Sequence, residues 1–153
     1  MFHCILYEPE IPQNTGSIIR LSANTGFKLH LIEPLGFELD NTRLKRAGLD
    51  YHEWADMQIH SSLDACIETI QPPRIFACST RGSRNYTDNA YQAGDAFLFG
   101  PETRGLPQAL LDTYSAESVI RIPMRPESRS LNLSNAASVI LYEAWRQNGF
   151  EMP

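Results

Sequence analysis

The stretch IPMRPESRSLNLSNAASVILYEAW, residues 122–145, begins as a proline-punctuated connection and ends as an apolar helix. Leu133, Ala136, Ala137, Ile140, Leu141 and Ala144 recur at helical spacing and form one apolar stripe. Val139, Tyr142 and Trp145 make a second line beside it. A helix needs one stripe to dock on its own sheet, so the surplus marks either a deeply buried helix or a subunit interface. The SLNLS at its mouth is also in excess. One N-cap side chain satisfies only some of the orphan amides of a first turn. The extra Ser and Asn side chains therefore either decorate a turn or face a ligand.

Upstream of this segment, short apolar runs alternate with helix-like stretches. The runs are FHCILY (2–7), KLHLIE (28–33), RIFACS (74–79), AFLFG (96–100) and SVIRIP (118–123). Between them lie TGSIIRLSANTG, LKRAG, SLDACIETI and LPQALLDTY. Strand, helix, strand at this spacing predicts βαβ units and a parallel sheet, with strands apolar enough to be covered on both faces. No linker, repeat or low-complexity segment interrupts the pattern. The expected organisation is one α/β domain over residues 1–153.

The composition narrows the functional classes. No apolar run approaches the roughly 20 residues that span a bilayer. MFHCILYEPE has neither the basic region nor the cleavage signal of a secretory peptide. Cys4, Cys66 and Cys78 cannot all pair, lack metal-ligand spacing and sit in apolar segments, so a cytoplasmic location is expected. A formal net charge of −5 argues against a wholesale basic surface for nucleic acid. Yet eleven of the thirteen cationic residues are Arg, the residue suited to bidentate phosphate contacts and stacking. Several cluster, as in RLKR (43–46), RGSR (81–84) and Arg121, Arg125 and Arg129. Such clusters suit either solvated surface or a restricted RNA-binding patch.

Three punctuated segments fall at the C-terminal ends of predicted strands, the edge where parallel sheets bind ligands. EPEIPQNTGSIIR (8–20) turns through Pro12, Asn14 and Gly16, with Asn14 or Thr15 placed to cap the helix that carries Arg20. FGPETRGLP (99–107) offers Gly100 and Gly105 for close backbone approach or positive φ. IPMRPESRSLNLS (122–134) completes the set. Each alone is an adequate loop; three on one edge read as a composite site. Familiar alternatives fail, because there is no GxGxxG after the first strand, no GxxxxGK[ST] and no GxSxG. His3, His30, His52 and His60 lie away from these loops, the first two in predicted strands, and no metal constellation is visible. What remains is Arg, Asn, Ser, Glu and backbone, a set suited to positioning and charge stabilisation.

Taken together, the three segments closely resemble the three motifs of SpoU-type RNA 2′-O-methyltransferases of the SPOUT superfamily. PQNTGSIIRLSANTG is similar to motif one, FLFGPETRGLP to motif two and IPMRPESRSLNLSNAASVILYEAW to motif three. The resemblance implies a parallel-sheet α/β knot, in which the C-terminal segment passes through a loop as a trefoil and forms the cofactor pocket. Chain topology rules alone would have excluded such threading. It further implies a homodimer, in keeping with the surplus face of the last helix, and S-adenosylmethionine as methyl donor. Mapped motif by motif, Cys78, Gly100, Ile122 and Ser130 are the expected donor-binding positions, largely through backbone. A Gly100→Leu side chain would then collide with the donor while leaving the fold largely intact.

The same resemblance points to tRNA as the partner, because the compact length is similar to family members that methylate the wobble cytidine or uridine. Ribosomal RNA, another tRNA position, and non-catalytic RNA binding with a retained pocket are the alternatives. Arg20 and Asn132 are the catalytic candidates that it implies. Arg20 would sit at the target 2′-hydroxyl and its adjoining phosphate. A guanidinium with pKa above about 12 is a poor base, which favours orientation and charge stabilisation over proton abstraction. The individual roles of Asn14, Glu102 and Asn132 stay open at this level.

Overall fold

A computed structural model describes residues 1–151 and places the apolar runs in one parallel sheet. Its strands are β1 (His3–Tyr7), β2 (Lys28–Ile32), β3 (Gln58–His60), β4 (Ile75–Cys78), β5 (Arg84–Asn85), β6 (Ala96–Phe99) and β7 (Val119–Arg121). The order across the sheet is β3-β2-β1-β6-β4-β7-β5. Every registered pairing is parallel, from His3 opposite Lys28 to Asn85 opposite Arg121. Two strands were not expected from sequence. β3 exposes Gln58 and Ile59, and β5 is a polar dipeptide at the sheet edge.

Parallel strands need cover on both faces, and the pleat divides the core accordingly. Cys4, Leu6, Leu29, Leu31, Phe76, Phe97, Phe99 and Ile120 point to one side. There they meet Ile18, Ile19 and Leu21 of α1 (Pro12–Thr25) and Ala137, Ile140, Leu141 and Ala144 of α6 (Leu133–Gln147). Ile5, Ile32, Ala77, Ala96 and Leu98 point to the other side, against α4 (Leu63–Ile70) and α5 (Gln108–Leu111). The short helices α2 (Asn41–Arg46) and α3 (Tyr51–Trp54) anchor Leu44 and Trp54 in the first core. Among the described residues, no helix is long and apolar enough to cross a membrane.

The final helix treats its two apolar lines differently. Ala137, Ile140, Leu141 and Ala144 are buried, Leu133 and Ala136 half-buried, and Val139 and Tyr142 exposed at 38% and 42%. Trp145 is half-buried between the Tyr142 and Phe150 rings. The first line docks on the sheet, and Trp145 of the second packs against the same core. Val139 and Tyr142 stay exposed among the described residues.

His3 and His30 serve the fold and draw in His60. His3 Nδ1 lies 3.0 Å from His30 Nε2, and His30 Nδ1 lies 3.0 Å from His60 Nε2, in a chain across β1, β2 and β3. Burial, followed by the neighbouring imidazoles His3 and His60, pushes His30 down to about 3. An unfolded His30 binds a proton near pH 6.5, whereas the folded one stays neutral until about 3. Its contribution is therefore complete above about pH 6.5 and is lost as pH falls. Below that pH, stability is expected to decline with a slope approaching about 1.4 kcal/mol per unit from this proton alone. Urea denaturation from pH 7 to 4 checks it, and a wild-type slope matching that of His30→Asn would refute it.

Candidate active site

The second and third punctuated loops, with the turn after β4, meet at the carboxyl edge of β4, β6 and β7 around a cavity of about 260 Å³, and the first loop adds no residue to its lining. Cys78, Gly100, Ile122 and Ser130 all line it, so one wall unites the four positions singled out from sequence. Leu106, Leu131, Ala136 and Ile140 supply an apolar lining, and Arg81, Glu102, Arg104 and Arg121 bring charge. Burial holds the Cys78 thiol well above its ordinary range, so its side chain stays neutral. The sequence-expected strand-end geometry holds. Cys78 ends β4, Gly100 follows β6 and Ile122 follows β7.

Gly100 departs from the expectation that its missing side chain makes room for a ligand. A Cβ there would lie 2.3 Å from Leu106 N and 2.6 Å from Gly105 C. The space belongs to the returning loop of the same chain. Gly105 turns that loop with φ +66°, and Arg81 fastens it by donating to Leu106 O at 2.5 Å and Gln108 Oε1 at 2.7 Å.

The entry to α1 also differs from the sequence reading. The helix begins at Pro12 after Ile11, so Asn14 and Thr15 lie inside the first turn rather than capping it. The capping comes from far along the chain. Glu102 accepts from Glu10 N at 2.8 Å and from Ile11 N at 2.7 Å, and Asn14 Nδ2 donates to it at 3.3 Å. A carboxylate at a helix N-terminus is favoured by the orphan amides and by the macrodipole. Glu10 returns the contact by accepting from Thr103 N at 2.9 Å and Thr103 Oγ1 at 2.8 Å. The Thr103 amide is the main reason the Glu10 carboxyl lies below its usual range.

Asn132 completes the linkage. Its Oδ1 caps α6 by accepting from Ser134 N at 2.9 Å and Asn135 N at 3.3 Å, while Nδ2 donates to Asn14 Oδ1 at 2.9 Å. Glu102, Asn14 and Asn132 thus tie all three loops together behind the cavity. The excess of polar residues in SLNLS has separate uses: Asn132 caps, whereas Ser130 and Leu131 face the cavity.

Arg20 does not line that cavity. It lies on α1, half-exposed, with Nε and Nη2 directed at Glu53 and Nη2 donating to Gly48 O at 2.8 Å. The sequence reading missed Glu53, although Asp50-x-x-Glu53 has the spacing of a capping box and Glu53 accepts from Asp50 N at 2.9 Å.

Comparison with known proteins defines the class. The SpoU rRNA Methylase family profile matches residues 1–142, and the chain belongs to that family. A tRNA (cytidine(34)-2'-O)-methyltransferase of Escherichia coli strain K12 is 58% identical over 150 residues, covering 98% of this chain and 96% of the relative. A solved structure described as giving insights into the 2-OH methylation of C/U34 on tRNA superposes with a TM-score of 0.87. It is 45% identical, with 99% of this chain and 98% of that chain covered. The SpoU methyltransferase AviRb of Streptomyces viridochromogenes, solved in complex with the cofactor AdoMet, has a TM-score of 0.79 at 25% identity, covering 95% of this chain and 57% of that one.

Proposed function

We propose that this chain transfers a methyl group from S-adenosylmethionine to the ribose 2′-hydroxyl of the wobble cytidine or uridine of tRNA. One observation carries the reading. Motif loops two and three share one cavity, and motif one is bonded to both through Asn14, in a chain 58% identical along nearly its whole length to a methyltransferase named for cytidine 34. The lining fits the donor. Apolar Ile122, Leu131 and Ile140 suit an adenine ring, and the strand-end backbone at Cys78, Gly100 and Ile122 suits the polar edge of a nucleoside. When bound, S-adenosylmethionine would supply an electrophilic methyl on a sulfonium. Glu102, Asn14 and Asn132 hold the loops in register, and the apolar lining keeps water from the reacting groups. Arg20 orients the attacking ribose and stabilises charge, with its Nη1 free of hydrogen bonds among the described residues.

The finer fold follows the same reading. Residues 79–83 carry the chain from β4 to β5 across the intervening β7, where Ser79 N donates to Ile120 O at 2.9 Å. A Cβ on Gly82 would lie 2.9 Å from Ile120 C, so the crossing is backbone against backbone. Segment 122–132 passing through that loop would complete the C-terminal trefoil knot. The exposed Val139, Tyr142 and half-buried Trp145 would pair with a second copy, giving a homodimer through α6 in the cytoplasm. Because Arg20 stands outside the wall of its own cavity, a dimer would let it serve its partner's. Tyr142→Glu is expected to shift the protein to monomer in sedimentation equilibrium at low micromolar concentration. An unchanged dimer would move the interface elsewhere.

The functional test is donor-dependent methyl transfer to tRNA and to ribosomal RNA, followed by nucleoside mapping. Methylation at position 34 of tRNA is expected. Transfer to ribosomal RNA alone would favour the ribosomal alternative.

A further inference from the structure

Arg20 is half-exposed, yet three of its N–H groups are committed to the protein. Nε and Nη2 meet the Glu53 carboxylate, and Nη2 also donates to Gly48 O at 2.8 Å. The Arg20 side chain is 52% exposed, whereas Glu53 is 7% exposed. Glu53 is fixed from its other side by Asp50 N at 2.9 Å. That backbone bond, followed by the side-chain bond from Arg20, holds the Glu53 carboxyl below its usual range. The seat is itself anchored, since Leu49 and Trp54 on either side are buried at 5% and 6% exposure. Gly48 makes the turn with φ +85°, a conformation that favours glycine.

Stability alone is a poor reason for such a clamp, because solvent screens the half-exposed Arg20 end of the pair. Its geometric consequence is larger. A guanidinium has five N–H donors in a planar fork. With Nε and both Nη2 hydrogens engaged, only the Nη1 pair is presented outward.

We infer that Glu53, with the Gly48 carbonyl, is the positioning residue that locks Arg20 so that Nη1 alone meets the ribose and phosphate of the RNA. This inference rests on the proposed ribose methylation. It assigns Glu53 no contact with substrate. Its whole effect passes through the Arg20 plane. A freely rotating Arg20 would present its fork in many orientations, and misplacement of a reacting group by about 1 Å can cost on the order of 10²-fold in rate.

The test compares wild type, Glu53→Gln, Arg20→Ala and the double variant in single-turnover methylation of tRNA. Calorimetric donor affinity and thermal melting are measured on each. Glu53→Gln keeps an acceptor for Asp50 N but cannot also receive Nε. Its rate is expected to fall about 10- to 100-fold, with donor affinity and melting unchanged. In the Arg20→Ala background, Glu53→Gln should cost nothing further, because the two groups act as one unit. The Arg20 Nε–H resonance should exchange slowly with water in wild type and rapidly in Glu53→Gln. If Glu53→Gln melts early, Glu53→Asp takes its place, with charge kept and reach shortened. A variant as fast as wild type, or a full additive loss in the double variant, would overturn the inference while leaving the functional reading standing. A wild-type protein that methylates no tRNA would overturn both.

Discussion

Gly100→Ala is expected to lower stability by about 1–3 kcal/mol through forced overpacking, and to weaken S-adenosylmethionine binding by about tenfold or more. A single methyl suffices, because its carbon would lie 2.3 Å from Leu106 N and 2.6 Å from Gly105 C. Both obstacles are backbone, so no flexible side chain can swing aside. Segment 105–106 must move, and with it the wall formed by Gly105 and Leu106. Leu106 is only 1% exposed and packs in the core beneath α4 and α5, which makes the movement costly. Gly100→Leu should be worse in both respects, and it cannot spare the fold as a collision with the ligand alone would. Denaturant melts and calorimetry on Gly100→Ala decide the matter. Unchanged stability with undiminished donor affinity would remove Gly100 from the site.

The difference between what was readable in the sequence and what was not follows the range of the interactions. β1, β2, β4, β6 and β7 were legible because continuous apolar runs are what a doubly covered parallel strand requires. α6 was legible from its 3.6-residue period, and its exposed second line from the surplus over one stripe. β5 left no trace, since Arg84 and Asn85 carry no apolar signal and gain strand character only by pairing with β7. β3 failed for a related reason: QIH is short, and its Gln58 and Ile59 are exposed.

The site shows the same division. The motif resemblance named Cys78, Gly100, Ile122 and Ser130, and the first three share a wall because a parallel sheet brings its carboxyl edge together whatever the loops contain. The cap of α1 could not be found locally. Asn14 is a good capping residue by type, but Glu102, with 91 residues of separation from Ile11, takes the amides instead. Releasing Asn14 from the cap lets it bridge Glu102 and Asn132, the contact that couples motif one to motif three. Glu53 is the opposite case. Its capping-box spacing lay in the sequence, but its second use, as the seat of Arg20, depends on α1 packing beside α3.

Arg20→Ala is expected to slow single-turnover methylation of tRNA by about 10²–10³, the usual loss when one oriented stabilising donor is removed. Donor affinity should change little, because Arg20 is not part of the cavity wall formed by the second and third loops. Arg20→Lys is expected to rescue poorly, for a reason the structure changes. A free guanidinium fork could make two points of contact with substrate; here the Nε and Nη2 edge is spent on Glu53 and Gly48. A lysine has one nitrogen on a flexible stem. It can reach for Glu53 or for the RNA, but it cannot be locked by the first while presenting a second nitrogen to the other. The carboxylate that fixes arginine would therefore draw the ammonium away from its work. Measured together, donor binding and single-turnover rate separate the outcomes. A lost donor affinity in Arg20→Ala would place the residue in the methyl-donor pocket after all. A near wild-type rate would remove the guanidinium from the reaction, and the Glu53 clamp would then have nothing to position.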